Sequence, residues 1–259
     1  MTNQQDYTQD NDKLYRYLFQ HRAVRGEWVR LNKTFTDTLN THQYPKAVQD
    51  LLGEMMVATN LLTATLKFAG NITVQIQGDG PLRLALVNGN DQQQIRALAR
   101  VDGNITENMS LHNMIGKGVL VITIAPKEGE RYQGVISLDK PTITECLEDY
   151  FVRSEQLQPQ LIIRTGEYEG KPVAAGMLLQ IMPDGSGTSE DFEHLTTLAA
   201  TVKDEELFGL PAEELLYRLY HEETVNLYPA QDVQFFCGCS AERSSSALLL
   251  ISDEEIDEI

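Results

Sequence analysis

The sequence predicts an α+β protein: largely antiparallel sheets built around one long supporting helix, followed by a helical linker. Three observations carry that reading. Pro45 opens a stretch in which Val48, Leu51, Leu52, Met55, Met56, Leu61, Leu62 and Leu66 recur at three- and four-residue steps, the period of a helix over 45–67. Alternating apolar runs then come in pairs joined by turn sequences, so hairpins outnumber crossover helices and the sheets should be antiparallel. From Pro183-Asp184-Gly185-Ser186-Gly187-Thr188-Ser189 onward the composition changes to short, acidic, helix-like pieces.

Taken in order, residues 13–25 read as a short opening helix, with Leu14, Tyr17 and Leu18 on one side and an end near Gly26. A second piece at 34–41 precedes the long helix. Ile72, Val74 and Ile76 alternate with polar residues, and Leu82, Leu84 and Leu86 follow across Gly78-Asp79-Gly80-Pro81, which makes a hairpin. A phosphate-binding glycine loop would pass from a strand into a helix instead. Strands are expected at 95–101, 119–125 and 131–138, an amphipathic helix at 142–155, and a strand pair at 160–167 and 173–182 about Glu169-Gly170-Lys171. Beyond the boundary come helices at 189–201, around 204–208, and from Pro211 to Glu223, then a short strand at 233–236.

Composition sets limits on function. The chain has 259 residues, 42% hydrophobic and 23% charged, ordinary for a globular protein with a substantial core. Its net charge of −17 is concentrated: residues 183–259 hold 18 acidic side chains against Lys203, Arg218 and Arg243. Such a segment repels itself, and the linker is expected to be docked but weakly held. It also makes a poor partner for nucleic acid or an anionic membrane. No apolar run reaches the length of a membrane span, and the first dozen residues lack the apolar core of a secretion signal. Three cysteines form no disulfide framework, which suits a reducing cytoplasm.

The chemistry-bearing feature is Cys237-Gly238-Cys239. Two thiols one residue apart either grip one metal ion or close on each other as a disulfide. A four-cysteine zinc site needs a second pair, and the third cysteine, Cys146, lies far away on an apolar helix face with Ile143, Leu147 and Tyr150, where it reads as a small buried hydrophobe. Ser252-Asp253-Glu254-Glu255 has the spacing of a capping box, so a helix is expected to begin there and to be cut short at Ile259. The five histidines show no ligand spacing. No nucleophile elbow, kinase or Walker pattern occurs, and adjacent pairs such as Glu213-Glu214 do not face one another on a helix, so no enzyme active site is expected.

Several segments carry a resemblance that goes further. They are Val24-Arg25-Gly26, Leu62 to Phe68, Gln75 to Pro81, Gly129 to Gly134, Leu147 to Phe151 with Ser154 to Leu157, Met177 to Gln180, and Arg218 to Glu223. In this order, ahead of the Cys-x-Cys, they resemble the redox-regulated heat-shock chaperones, the thirty-three-kilodalton chaperonin family. The resemblance implies an ATP-independent holdase that binds unfolding client proteins and is typically a dimer when active. It also implies a chaperone core at 1–182, a metastable helical linker at 183–232, and at 233–259 the remnant of a C-terminal zinc domain. In the reduced state four thiolates would hold zinc, with Cys237 and Cys239 as the first pair. Oxidation would form disulfides, expel the metal and unsettle the linker. The second pair has no counterpart in this sequence, so zinc is expected to be held weakly or not at all. Two other readings fit the thiol pair: a thiol–disulfide oxidoreductase using Cys237 and Cys239 directly, against which the acidic surroundings count, and a static zinc-binding adaptor.

Overall fold

The computed structural model describes residues 10–65, 69–154, 159–182 and 188–238. It is an α+β structure of two six-stranded sheets with one helix between them. The first sheet is formed by β1 (Lys13–Phe19), β2 (Val24–Leu31), β8 (Gln160–Tyr168), β9 (Lys171–Ile181), β10 (Val225–Leu227) and β11 (Gln231–Asp232). Its order is β10-β1-β2-β9-β8, with β11 also on β1, and every pairing is antiparallel. The second sheet holds β3 (Gly70–Gly78), β4 (Leu82–Asn90), β5 (Gln94–Val101), β6 (Gly118–Pro126), β7 (Tyr132–Ser137) and β12 (Gln234–Phe235), in the order β12-β5-β4-β3-β6-β7. Only β12 on β5 is parallel.

Helix α2 (Lys46–Thr65) is the support that the sequence predicts, but it is buried all round rather than along one stripe: 15 of its 20 residues are inaccessible. Its buried polar residues are satisfied by the helix itself. Thr59 Oγ1 donates to the Met55 carbonyl at 2.7 Å, Asn60 Nδ2 to Met56 at 2.9 Å and Thr63 Oγ1 to Thr59 at 2.6 Å. Apart from Glu54, which interacts with Arg164 of β8, the helix therefore turns mainly apolar surface to the two sheets. Its expected last residues, 66–67, lie outside the described residues, as do the 183–187 boundary and the 252–255 capping box.

The opening helix expected over 13–25 is instead the hairpin β1–β2. Leu14, Tyr17 and Leu18 have helical spacing, but Tyr15, Tyr17 and Phe19 also alternate with Leu14, Arg16 and Leu18; the aromatic set packs on one face and Leu14 on the other, while Arg16 is exposed. Aromatic residues in alternation favour the strand, and His21 takes the left-handed conformation (φ 66°) that turns it. Gly26 ends no helix. It lies mid-strand opposite Tyr17, where a Cβ would stand 2.1 Å from the ring of that fully buried tyrosine. Gly26→Ala is expected to lower stability by about 1–3 kcal/mol through overpacking. Urea denaturation checks this, and Tyr17→Leu in the same chain should restore part of the loss.

The remaining elements are α1 (Lys33–Leu39), α3 (Leu111–Ile115), α4 (Ile143–Ser154), α5 (Ser189–Ala199), α6 (Asp204–Gly209) and α7 (Ala212–Tyr220). Among the described residues, no helix is long and apolar enough to cross a membrane.

Candidate functional site: a thiol at the end of a strand zipper

The face of the first sheet turned away from α2 is covered by α5, α6 and α7. Val24, Trp28, Tyr17, Phe19, Val173, Ala175, Met177 and Leu179 form the sheet side of this second core. Leu195, Leu207, Phe208, Leu215, Leu216, Leu219 and Tyr220 form the helix side. The Tyr220 ring meets Phe19 edge-on with centroids 4.8 Å apart.

Polar anchors tie these helices to the sheet. Arg30 is fully buried, and its Nη1 donates to the Phe208 and Leu210 carbonyls, both at 2.9 Å, while its guanidinium lies 5.2 Å from the centre of the Trp28 ring. Burial pulls its pKa below the ordinary value, and Asp10 opposes that pull. Asp10 accepts the first amide of α7, from Ala212 at 2.7 Å, and the Tyr15 hydroxyl at 2.6 Å. At the other end, the Arg22 fork grips both oxygens of Glu223 at 2.8 and 2.9 Å and also pairs with Asp191, while His194 Nε2 lies 3.0 Å from Glu223. Burial pushes the Glu223 carboxyl up, but the hydrogen bonds from Arg22 and His194 prevail and hold it below its usual range. The acidic linker is thus matched to cations of the sheet as well as repelling itself.

After α7 the chain passes through a zipper of very short strands. β10 and β11 lie along β1, Val233 donates its amide to the Asp12 carbonyl at 2.8 Å, and β12 crosses to the edge of the second sheet. Val233 is buried at the crossing, and its carbonyl accepts from Thr34 Oγ1. A further zipper bond runs from the Phe236 amide to the Ile95 carbonyl at 3.0 Å. Cys237 follows at once, exposed. This exposed cysteine therefore follows directly on a hydrogen-bonded chain that leads back through both sheets to the covering helices.

Cys239 lies outside the described residues. Cys146 is buried on α4, its thiol directed at the Lys140 carbonyl and its pKa pushed up by burial, which makes it a poor nucleophile. Among the described residues, no three His, Cys, Asp or Glu side chains converge as a metal site. Sequence reasoning found the thiol but missed β10, β11 and the anchors Asp10, Arg22 and Arg30. The strands are two or three residues long, and the anchors act across some 170 to 200 residues of sequence, so neither leaves a local pattern.

Comparison with known proteins identifies the assembly. Residues 12–259 match the family model described as Hsp33 protein. The chain is 99% identical over 259 residues to a 33 kDa chaperonin of Haemophilus influenzae, covering all of this chain and 88% of that protein. It is 81% identical over 250 residues to the 33 kDa chaperonin of Pasteurella multocida, covering 96% of this chain and 87% of that one. The crystal structure of a 33 kDa chaperonin from Thermotoga maritima superposes with a TM-score of 0.80 at 22% identity, over 95% of this chain and 88% of that one, a likeness of fold. The chain belongs to the Hsp33 family, whose members are stress-response chaperones and not enzymes.

Proposed function

We propose that this chain is a redox-regulated, ATP-independent holdase of the cytoplasm that captures unfolding proteins under oxidative stress, with Cys237 and Cys239 as its redox-active pair. The observation that carries the reading is the position of Cys237 at the exposed end of the β10–β11–β12 zipper. Each of these strands has two or three residues, so little has to break for a change at the thiols to reach α7. Behind α5 to α7 stands an apolar sheet face rich in aromatic rings, suited to holding a client once the helices lift. On this reading residues 1–182 form the core, 183–232 the metastable linker and 233–259 the redox segment. The active form is a homodimer.

The redox step balances on the thiols alone. With a peroxide as oxidant, Cys237 and Cys239 each give up a hydrogen, one S–S bond forms, the O–O bond breaks, and two waters leave when the oxidant is hydrogen peroxide. In the reduced protein Cys237 and Cys239 would supply two thiolates of a four-thiolate zinc shell. The pair by itself should hold zinc below one equivalent after dialysis against a mild chelator.

The test is aggregation of a heat-unfolding client followed by light scattering, with reduced and oxidised protein compared. The oxidised protein should suppress scattering and the reduced protein should not. Cys237→Ser is expected to abolish the difference while leaving the circular dichroism and unfolding midpoint unchanged, since the exposed thiol packs against no core. Equal suppression by both redox states of the unaltered chain would defeat the reading.

A further inference from the structure

The four sheet edges are not treated alike. β12 and the pair β10/β11 are only two or three residues long, and β8 carries the exposed charges Arg164 and Glu167. Short strands and edge charges are the usual devices that stop a sheet edge from pairing with another chain. β7, the remaining edge, has neither. Its sequence is Tyr-Gln-Gly-Val-Ile-Ser over residues 132–137, with no charge and no proline, and it pairs with β6 in unbroken register for six residues. In an acidic chain, no aspartate or glutamate occurs in any of the strands β3 to β7.

The strand is also well supported. Ile136 is buried beneath the sheet, and Tyr150 of α4 sits against Gly134, where a Cβ would stand 2.2 Å from its hydroxyl. The Tyr150 and Tyr132 hydroxyls are 2.5 Å apart. On the opposite face a cross-strand row runs Leu98, Leu86, Gln75, Val121, Val135. It ends at the edge with Val135 61% exposed. A further strand laid along β7 would continue this row with its own side chains.

We propose that the edge of β7, which no strand among the described residues covers, is a docking site for extended apolar segments of unfolding polypeptides, which add to the second sheet as a seventh strand. The proposal rests on the chaperone reading above and assigns it a surface distinct from the one beneath α5 to α7. Strand addition suits a holdase because the backbone supplies the contact and the sequence of the guest matters little. The size of the edge favours such a guest over a second copy of this chain. A six-residue strand is about 20 Å long and buries a few hundred Å² per partner, well short of the roughly 800 Å² that a stable specific dimer buries on each side.

The test uses the full chain and the variant Val135→Lys, which places a charge on the edge at an exposed position. Glu167→Lys, on the β8 edge of the other sheet, is the control. The probe is a fluorescein-labelled decapeptide of alternating valine and threonine, read by anisotropy, beside the same peptide N-methylated at alternate residues. Val135→Lys should weaken peptide binding at least tenfold and raise the amount of oxidised protein needed to suppress client aggregation, with the unfolding midpoint unchanged. Glu167→Lys should change neither. N-methylation along one side of the peptide should abolish binding, and the unmodified peptide should slow exchange of the amides in 132–137 but not those in 46–65.

Unaltered peptide binding by Val135→Lys, or equal binding of the N-methylated peptide, overturns the proposal. So does a dimer in sedimentation velocity that Val135→Lys dissociates, because the edge would then serve self-association. Failure of the unaltered chain to suppress aggregation in either redox state would strike the holdase reading itself and is seen separately from any effect at residue 135.

Discussion

Arg30→Ala is expected to switch the chaperone on without oxidant. The side chain is fully buried, spans from β2 to the covering helices, and holds the carbonyls of Phe208 and Leu210 at 2.9 Å. Those two acceptors lie in the last turn of α6 and at its C-cap, so one guanidinium fixes the end of α6 and the turn that leads into α7. Losing it strands buried polar groups and opens space beside Trp28, at a cost of about 3–5 kcal/mol. Most of that loss should fall on the α6–α7 layer, because β2 keeps its ladders to β1 and β9. Amides in 204–220 should exchange faster while those of α2 stay protected, and the reduced variant should suppress aggregation nearly as well as the oxidised unaltered chain. Arg30→Met keeps an apolar stem against Trp28 and should show the same release with a smaller loss of stability. Unchanged exchange in 204–220, or a reduced variant that remains inactive, would show that this layer is not the latch.

The sequence makes some parts of this arrangement plain and hides others for physical reasons. The 45–67 helix, the hairpin about Gly78-Asp79-Gly80-Pro81 and the strands around Glu169-Gly170 are legible because local period and turn chemistry agree with the final packing. Residues 13–25 mislead because the buried residues of β1 fall on both of its faces, Leu14 on one and Tyr17 and Phe19 on the other, which blurs the alternation that would separate it from a helix. The linker shows a different limit. Its acidic count is correct, but charge repulsion read along the chain omits Arg22, Arg30 and Arg164, which come to it from the sheet. Salt therefore screens attraction across the interface as well as repulsion within it, and screening alone does not tell which way the linker moves. Of the thiol pair, the sequence locates the chemistry. The zipper that connects Cys237 to the core is a long-range fact and appears only in the fold.

The second large effect is a fall in stability as pH rises from about 4.5 to about 7, driven by two buried carboxyls. Glu27 on β2 is 1% exposed, and burial pushes its pKa up to about 7 against the ordinary 4.5, with Arg25 and Arg16 pulling it down less strongly. The Arg25 guanidinium is 3.8 Å away, too far for a hydrogen bond, and is engaged by Gln180 at 2.6 Å. Glu54 on α2 is likewise pushed up to about 7, by burial first and by Asp50 second, against the pull of Arg164. A carboxyl whose pKa is raised by folding binds its proton more tightly in the native state. Its stabilising contribution is full below pH 4.5 and is lost as pH rises through 7. A shift of that size corresponds to about 3 kcal/mol for each group as an upper limit. Glu27→Gln fixes the neutral form. It should leave stability near pH 5 almost unchanged, raise it at pH 8 by about 2–3 kcal/mol, and remove about half of the slope between them. Glu27→Gln with Glu54→Gln should remove most of it. Urea midpoints at pH 5, 6.5 and 8 measure this directly, and a double variant that keeps the full slope would show that other groups carry it.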